Sequence, residues 1–174
     1  MTAVLSAAVG QSSPSAGGTQ RVKARYLCNF ARFVEWPESS FSSPDAPFQI
    51  CIYGNDELDG ELELAIRGKT ADARRLELEH PLDVQQAKSC HVLFISQSKK
   101  GQAAQILHEL EGASILTVSD MDDFRGLGGM ISFVTDGDQV RFDVDLGQAQ
   151  RSGLNVSSRL LAIARMVISR VGGK

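Results

Sequence analysis

No stretch of this 174-residue chain stays apolar over the roughly 20 residues that a membrane-spanning helix needs. Direct insertion into a bilayer is therefore not expected. Positive charge is not in excess: 18 Lys and Arg stand against 21 Asp and Glu, a net charge of −3. That balance argues against nucleic acid or an anionic membrane surface as the main partner. Histidine is scarce, and His80, His91 and His108 lack the spacing of a metal site. Cys90 and His91 are adjacent, and neighbouring strand residues face opposite ways, so neither a metal nor a cofactor is expected. No Ser-His-Asp or Cys-His spacing reads as a nucleophile beside its base. Glu35 lies on a helix occupied with packing, which suits a surface charge better than a general acid. The chain is not expected to be an enzyme.

What is present suits one folded domain. Hydrophobic residues make up 43% and charged residues 22%, ordinary values for a globular protein of a length that can bury a full core. Met1 to Gln20 is rich in Ala, Ser and Gly and has no charge before Arg21. Its apolar middle is weak and the basic start of a secretory signal is missing. It reads as a disordered tail or the remnant of a trimmed signal peptide, with the domain running from 21 to 174. Three cysteines, Cys28, Cys51 and Cys90, read as buried thiols in a reducing compartment, or as one pair and one leftover in an oxidising one.

The apolar pattern alternates between helical and strand periods. Val22, Tyr26, Phe30, Phe33 and Val34 predict a helix over Arg21–Trp36, stopped by Pro37, with a Ser- and Pro-rich loop over Glu38–Ala46. Buried strands are predicted at Phe48–Tyr53, His91–Ile95 and Ser114–Val118, and a strand with one wet face at Leu76–Glu79. Helices are predicted at Asp56–Arg67, Leu82–Lys88 and Gly101–Leu110. This alternation predicts an α/β fold with a mostly parallel sheet and helices on both faces. Met130–Val134 and Gln139–Leu146 follow as a C-terminal antiparallel hairpin about an Asp-Gly turn. A final helix is predicted after an N-cap at Ser157, with Leu160, Leu161, Ala164, Val167, Ile168 and Val171 as its stripe. Ser119 to Asp123 reads as a capped helix start. Gly126–Gly129 precedes a strand, so a turn explains it better than a phosphate loop.

Several blocks in order carry a family resemblance. Lys23-Ala24 with Tyr26-Leu27, then Asn29-Phe30-Ala31 and Phe33-Val34-Glu35-Trp36-Pro37, resembles the opening of the YfiR family. Cys90 to Ser96 is similar to its middle. Leu116 to Asp120 with Phe124, Gly128 to Ile131 and Phe133-Val134 match a third block, and Val140-Arg141-Phe142 with Ser157-Ser158 and Leu160-Leu161 a last one. The resemblance spans roughly Val22 to Val171. It implies a periplasmic, non-enzymatic repressor of an inner-membrane diguanylate cyclase, acting on the cyclase's periplasmic domain, lowering cyclic di-GMP and biofilm formation. It further implies relief by an outer-membrane lipoprotein, and a homodimer.

The same resemblance implies a disulfide between Cys51 and Cys90. A second family bridge would fall around Arg125 and Ser132, where this chain has no cysteine. Cys28 is expected to remain a buried free thiol. A binding protein needs exposed apolar anchors, for which Phe33, Trp36 and Phe41 are the first candidates and Phe142, Asp143, Leu154 and Arg159 the second. The alternative is an extracytoplasmic small-molecule sensor. Its ligand would sit at the carboxyl edge of the sheet near Gly54, Ser96, Ser119 and Asp120, where open parallel sheets hold ligands.

Overall fold

A computed structural model describes residues 16–169. Helix α1, Ala16–Phe33, buries Ala24, Leu27, Cys28 and Ala31, the i, i+3, i+4, i+7 face of an amphipathic helix, with Phe30 buried beside them. It begins earlier than Arg21, so the expected tail is helical from Ala16, and the rest of that tail lies outside the described residues. It also ends earlier than expected. Val34–Glu35 forms a short strand β1, antiparallel to β9, Asn155–Val156. Pro37 excludes helical geometry at Trp36, and the β-branched Val34 finds a strand partner in Val156.

An eight-stranded sheet runs β10-β8-β7-β6-β5-β2-β4-β3. Its central strands are β2 (Phe48–Tyr53), β4 (Arg74–Glu79), β5 (Val92–Ile95), β6 (Leu116–Ser119) and β7 (Ile131–Asp136). These pair in parallel in the order β4-β2-β5-β6-β7. Numbered within this set, the order is 2-1-3-4-5, the flavodoxin-like doubly wound arrangement with its switch point between the first and third strands. Strand β8 (Gln139–Asp145) closes a hairpin on β7 through Gly137 and Asp138, with Asp136 opposite Gln139. The two-residue β3 (Thr70–Ala71) forms the other edge.

Period-two alternation divides the core. On β2 and β5, Ile50, Ile52, Val92 and Phe94 face the layer containing α1 and α2 (Leu58–Ile66). Cys51, Tyr53, Leu93 and Ile95 face the layer of α3 (Val84–Ala87) and α4 (Ala103–Glu109). Strands covered on both faces need near-continuous apolar runs, and in these two strands Gln49 of β2 is the single polar residue.

The C-terminal part departs from expectation. Asp145 ends β8 and its carboxylate accepts from Gln148 N (3.0 Å), capping a helix α5, Leu146–Arg151. The Asp-x-x-Gln spacing is the available sequence signal. Ser157 does cap a helix, accepting from Leu160 N. That helix, α6, covers only Ser158–Ile163. Met166–Ile168 is instead β10, parallel to β8. Arg165 directs the change: its N–H donates to Phe142 O (2.8 Å) and its guanidinium binds Asp143, so the chain enters the sheet. Val171, expected on that helix, lies outside the described residues.

Cys51 and Cys90 are joined by a disulfide with Cα atoms 6.0 Å apart. The bridge ties β2 to the start of β5 within the α3–α4 layer. Cys28 is a buried free thiol, and burial raises its pKa. Replacing Cys51 and Cys90 together by Ser should cost roughly 4 kcal/mol on the chain-entropy view, read as a lower urea midpoint. The native protein should resist alkylation, and in denaturant without reductant should take up a single label. A midpoint equal to wild type, or three labels, would show that the bridge does not hold these strands.

Candidate functional site

At the switch point, the chain leaves β2 through Gly54 at φ +103°, and a Cβ there would come within 2.4 Å of Ser98 Oγ. Ser96 Oγ donates to Asn55 O and accepts from Ser98 N, while Ser98 Oγ accepts from Asn55 N. Ser119 Oγ donates to Ile95 O (2.6 Å) and accepts from Met121 N. The hydroxyls of Ser96 and Ser119 thus knit the strand ends together. The segment after Ser119 is a run of turns rather than the expected helix start, and Asp123 has φ +60°. Gly128, at φ +105°, supplies the positive backbone angle expected of its loop.

Asp120 completes this edge. Its Oδ2 accepts from Lys23 Nζ at 2.6 Å, and the Lys23 side chain is almost fully buried. Gln97 Nε2 donates to Asp120 O. Asp120 Oδ1 is buried without a hydrogen-bond partner among the described residues. Burial pushes the Asp56 carboxyl up, and the Asp120 charge adds to that shift. The structure therefore gathers Gly54, Ser96, Ser119 and Asp120 at one edge, and α1 delivers Lys23 onto it. Lys23 enters the sequence reading only within the family resemblance and not as a site residue, because nothing local marks a lysine on the buried face of an amphipathic helix.

The opposite end of the sheet carries an aromatic nest. A 3-10 turn, Glu38–Ser40, follows Pro37. Phe41 then stacks on His91 at 4.4 Å, His91 on Phe48 at 4.8 Å, and Trp36 meets Phe48 edge-on at 4.8 Å. The Arg74 guanidinium lies 3.8 Å from the Phe41 ring centre and donates to the carbonyls of Ser43 and Ala46. His91 Nδ1 accepts from Gln49 N, so its Nε2 carries the proton and donates to Ser40 O, both at 3.0 Å. Burial holds the His91 pKa below its ordinary value, and the Arg74 charge works in the same direction. Phe33, Trp36 and Phe41 are all partly buried and packed on the core. The Trp36 indole N–H has no partner among the described residues.

The second group of anchor candidates is mostly interior. Phe142, Asp143 and Leu154 are 0%, 1% and 2% exposed and offer no surface to a partner. Phe142 makes edge-on contacts with Tyr26 and Phe30 at 5.1 and 5.2 Å. Asp143 is a charge hub: Arg165 Nε donates to its Oδ1 at 2.8 Å, and Arg125 Nη2 lies 3.2 Å from its Oδ2. Arg159 alone of this group is exposed. The β1–β9 pairing, with Ser157 N donating to Phe33 O at 2.9 Å, sets Phe33 beside the start of α6, which carries Arg159.

The profile of the family described as YfiR/HmsC-like matches residues 20–165. Two solved structures share the fold. A conserved domain protein from Vibrio cholerae O1 biovar El Tor has a TM-score of 0.52 at 12% identity, over 69% of this chain and 54% of that one. The ABC domain in complex with L-Trp from Streptococcus pneumonia has a TM-score of 0.54 at 10% identity, over 83% and 60%. This chain thus spans less than two thirds of either solved chain, and at these identities the likeness is one of fold.

The His91 nest makes stability depend on pH. A depressed folded pKa means that the unfolded chain binds the proton first. The neutral ring's contribution is therefore present above the ordinary histidine value of about 6.5 and lost as pH falls through the depressed one. His91→Gln should lower the melting temperature near neutrality yet flatten its decline between about pH 7 and pH 5. An unchanged slope would place the acid sensitivity elsewhere.

Proposed function

The chain belongs to the YfiR/HmsC-like family, and on that premise we propose that it binds the periplasmic domain of an inner-membrane diguanylate cyclase and holds the enzyme inactive. The family carries the coarser reading, a periplasmic regulator of cyclic di-GMP signalling built on a non-catalytic domain. Among the described residues no helix is long and apolar enough to cross a membrane. The partner and its relief by an outer-membrane lipoprotein are the finer parts of the proposal, as are action as a homodimer and the reading of the chain from α1 onward as one regulatory unit.

Repression is a matter of differential affinity. Moving a cyclase from half active to about 1% active requires a roughly 100-fold preference for the inactive form, about 2.7 kcal/mol. One well-placed aromatic anchor supplies energy of that order. The observation that supports a docking role is the surface around the end of α1. Phe33, Trp36 and Phe41 are only partly covered, and Arg159 is exposed close by. Ile163 of α6 is 59% exposed, and Met166 and Val167 of the β10 edge are also exposed. Scattered exposed apolar residues are ordinary, and Met166 and Val167 lie on the edge strand across the sheet from β2, against which Trp36 and Phe41 pack, so the docking reading rests on Phe33, Trp36, Phe41 and Arg159.

A second reading, a small-molecule sensor at the carboxyl edge, is favoured by the unpartnered Asp120 Oδ1 and by a fold shared with a domain in complex with L-Trp. In it Gly54, Ser96 and Ser119 shape the edge, and Asp120 meets the ligand.

Deleting the gene should raise cellular cyclic di-GMP and biofilm, and restoring it with Trp36→Ala and Phe41→Ala together should complement poorly. A level that stays put in the deletion strain while the cyclase is expressed would end the repressor reading.

A further inference from the structure

Just past the end of α1, a cleft of about 260 Å³ opens among Glu35, Trp36, Phe41, Phe48, Asp72 and Arg74. That volume lies below the roughly 300–1,000 Å³ of small-molecule sites, so the cleft suits one side chain of a protein partner better than a free ligand. Local structure brings its walls together. The two-residue β1 buries Val34 and leaves Glu35 exposed, and Trp36 follows it into Pro37. From the other side comes the β3–β4 hairpin, with Ala71 opposite Arg74. It turns through Asp72 at φ +48° and Ala73 at φ +63°. Two positive angles are what the tightest hairpin turn requires, and aspartate adopts them more readily than most residues.

The charges decide which side chain. Three charged residues line the cleft, and Arg74 is already engaged. Its guanidinium lies on the Phe41 ring and donates to the carbonyls of Ser43 and Ala46. Phe41 is engaged with it, since His91 also stacks on that ring. Glu35 and Asp72 are exposed. Glu35 accepts from the Asn155 amide, and neither carboxylate forms an ion pair among the described residues. Two carboxylates against one guanidinium leave the lining one negative charge in excess. Trp36 is the only tryptophan of the chain and carries no cation among the described residues, although tryptophan is the best aromatic partner for one. An incoming carboxylate would meet Glu35 and Asp72 as like charges. An apolar side chain would leave both without a partner. A basic side chain gains the indole and the carboxylates together, and tryptophan and arginine are enriched among interface hot spots.

We propose that this cleft receives an arginine or lysine side chain of the partner protein, set against Trp36 and paired with Glu35 and Asp72. The inference rests on the repressor reading, for it names what the periplasmic domain of the cyclase presents to this chain.

The test has two arms. In the first, Trp36 emission of the full chain is followed at constant ionic strength as the N-acetyl amides of arginine, lysine, glutamine and glutamate are added in turn. The two basic compounds should change the emission saturably, and the other two should not. In the second, the purified periplasmic domain of the cyclase is titrated calorimetrically into the full chain. Glu35→Gln with Asp72→Asn keeps an acceptor for Asn155 and a residue suited to positive φ, so this double variant should melt as wild type does. It should weaken binding of the basic amides and of the cyclase domain about five- to tenfold. Glu109→Gln with Asp138→Asn, which removes the same charge on α4 and at the β7–β8 turn, should leave both unchanged. Emission indifferent to the basic amides, or changed as much by the glutamine compound, would overturn the proposal. So would a cyclase domain bound equally by wild type and by the Glu35 and Asp72 double variant, an outcome that leaves repression itself standing. A cyclase domain that does not bind the wild-type chain would end the repressor reading, and with it the source of the side chain, whatever the amides do.

Discussion

Helix α1 lies against one face of the sheet, and the arrangement of both candidate edges follows from that contact. Its aromatic side meets the hairpin: Tyr26 and Phe30 pack on Phe133 and Phe142 with ring centres 5.1 to 6.0 Å apart. Each such pair adds about 0.5–1.5 kcal/mol beyond the area it buries. Its middle is tied to the carboxyl end of β6 by Lys23 and Asp120. Its end runs into β1, which the β1–β9 pairing holds beside the start of α6. A doubly wound sheet of this strand order leaves a crevice at its switch point. Here the strand ends around it are laced by Ser96 and Ser119, and a buried lysine from the helix stands close by.

The same contact explains which surfaces remain for partners. Because Phe30 is sunk into the core, the helix face turns so that Phe33 falls at its margin, with Trp36 and Phe41 beyond. Trp36 and Phe41 then form the wall of the nest that surrounds His91. The disulfide pins β2 to β5 close to that nest, since Cys90 is the neighbour of His91. A rigid scaffold under a partly apolar surface suits recognition with little change of shape. At Asp143 two arginines from different segments converge on a single carboxylate. That carboxylate is buried, and losing it would leave two guanidiniums without their counter-charge.

Much of this was legible from residues alone where one period dominates. Phe48–Tyr53, interrupted only by Gln49, and the strand before Ser96 are apolar runs between turn residues, and both are strands. Asp136-Gly137 sits at the tip of the hairpin that its turn chemistry favours. Three features were not legible. Val34–Glu35 continues a helical stripe yet takes strand geometry, because the competing partner, Val156, is over a hundred residues away. Val167 and Ile168 fit a helix face as well as a strand, and only the hold of Asp143 on Arg165 decides between them. Phe142 looked like a surface anchor because the alternation of β8 does not say which side α1 covers. The pairing of Cys51 with Cys90 came from the family resemblance and not from spacing, since a third cysteine left other pairs open.

Under the proposed function, this chain holds a cyclase inactive through contact with its extracytoplasmic domain. The direct measurement is cyclic di-GMP synthesis from GTP by the membrane-embedded cyclase with that domain intact, as purified protein is added. Synthesis should fall saturably toward a small residual rate, and a cyclase lacking its periplasmic domain should be indifferent. A rate that stays constant at saturating protein, or falls equally for the truncated cyclase, would contradict the account.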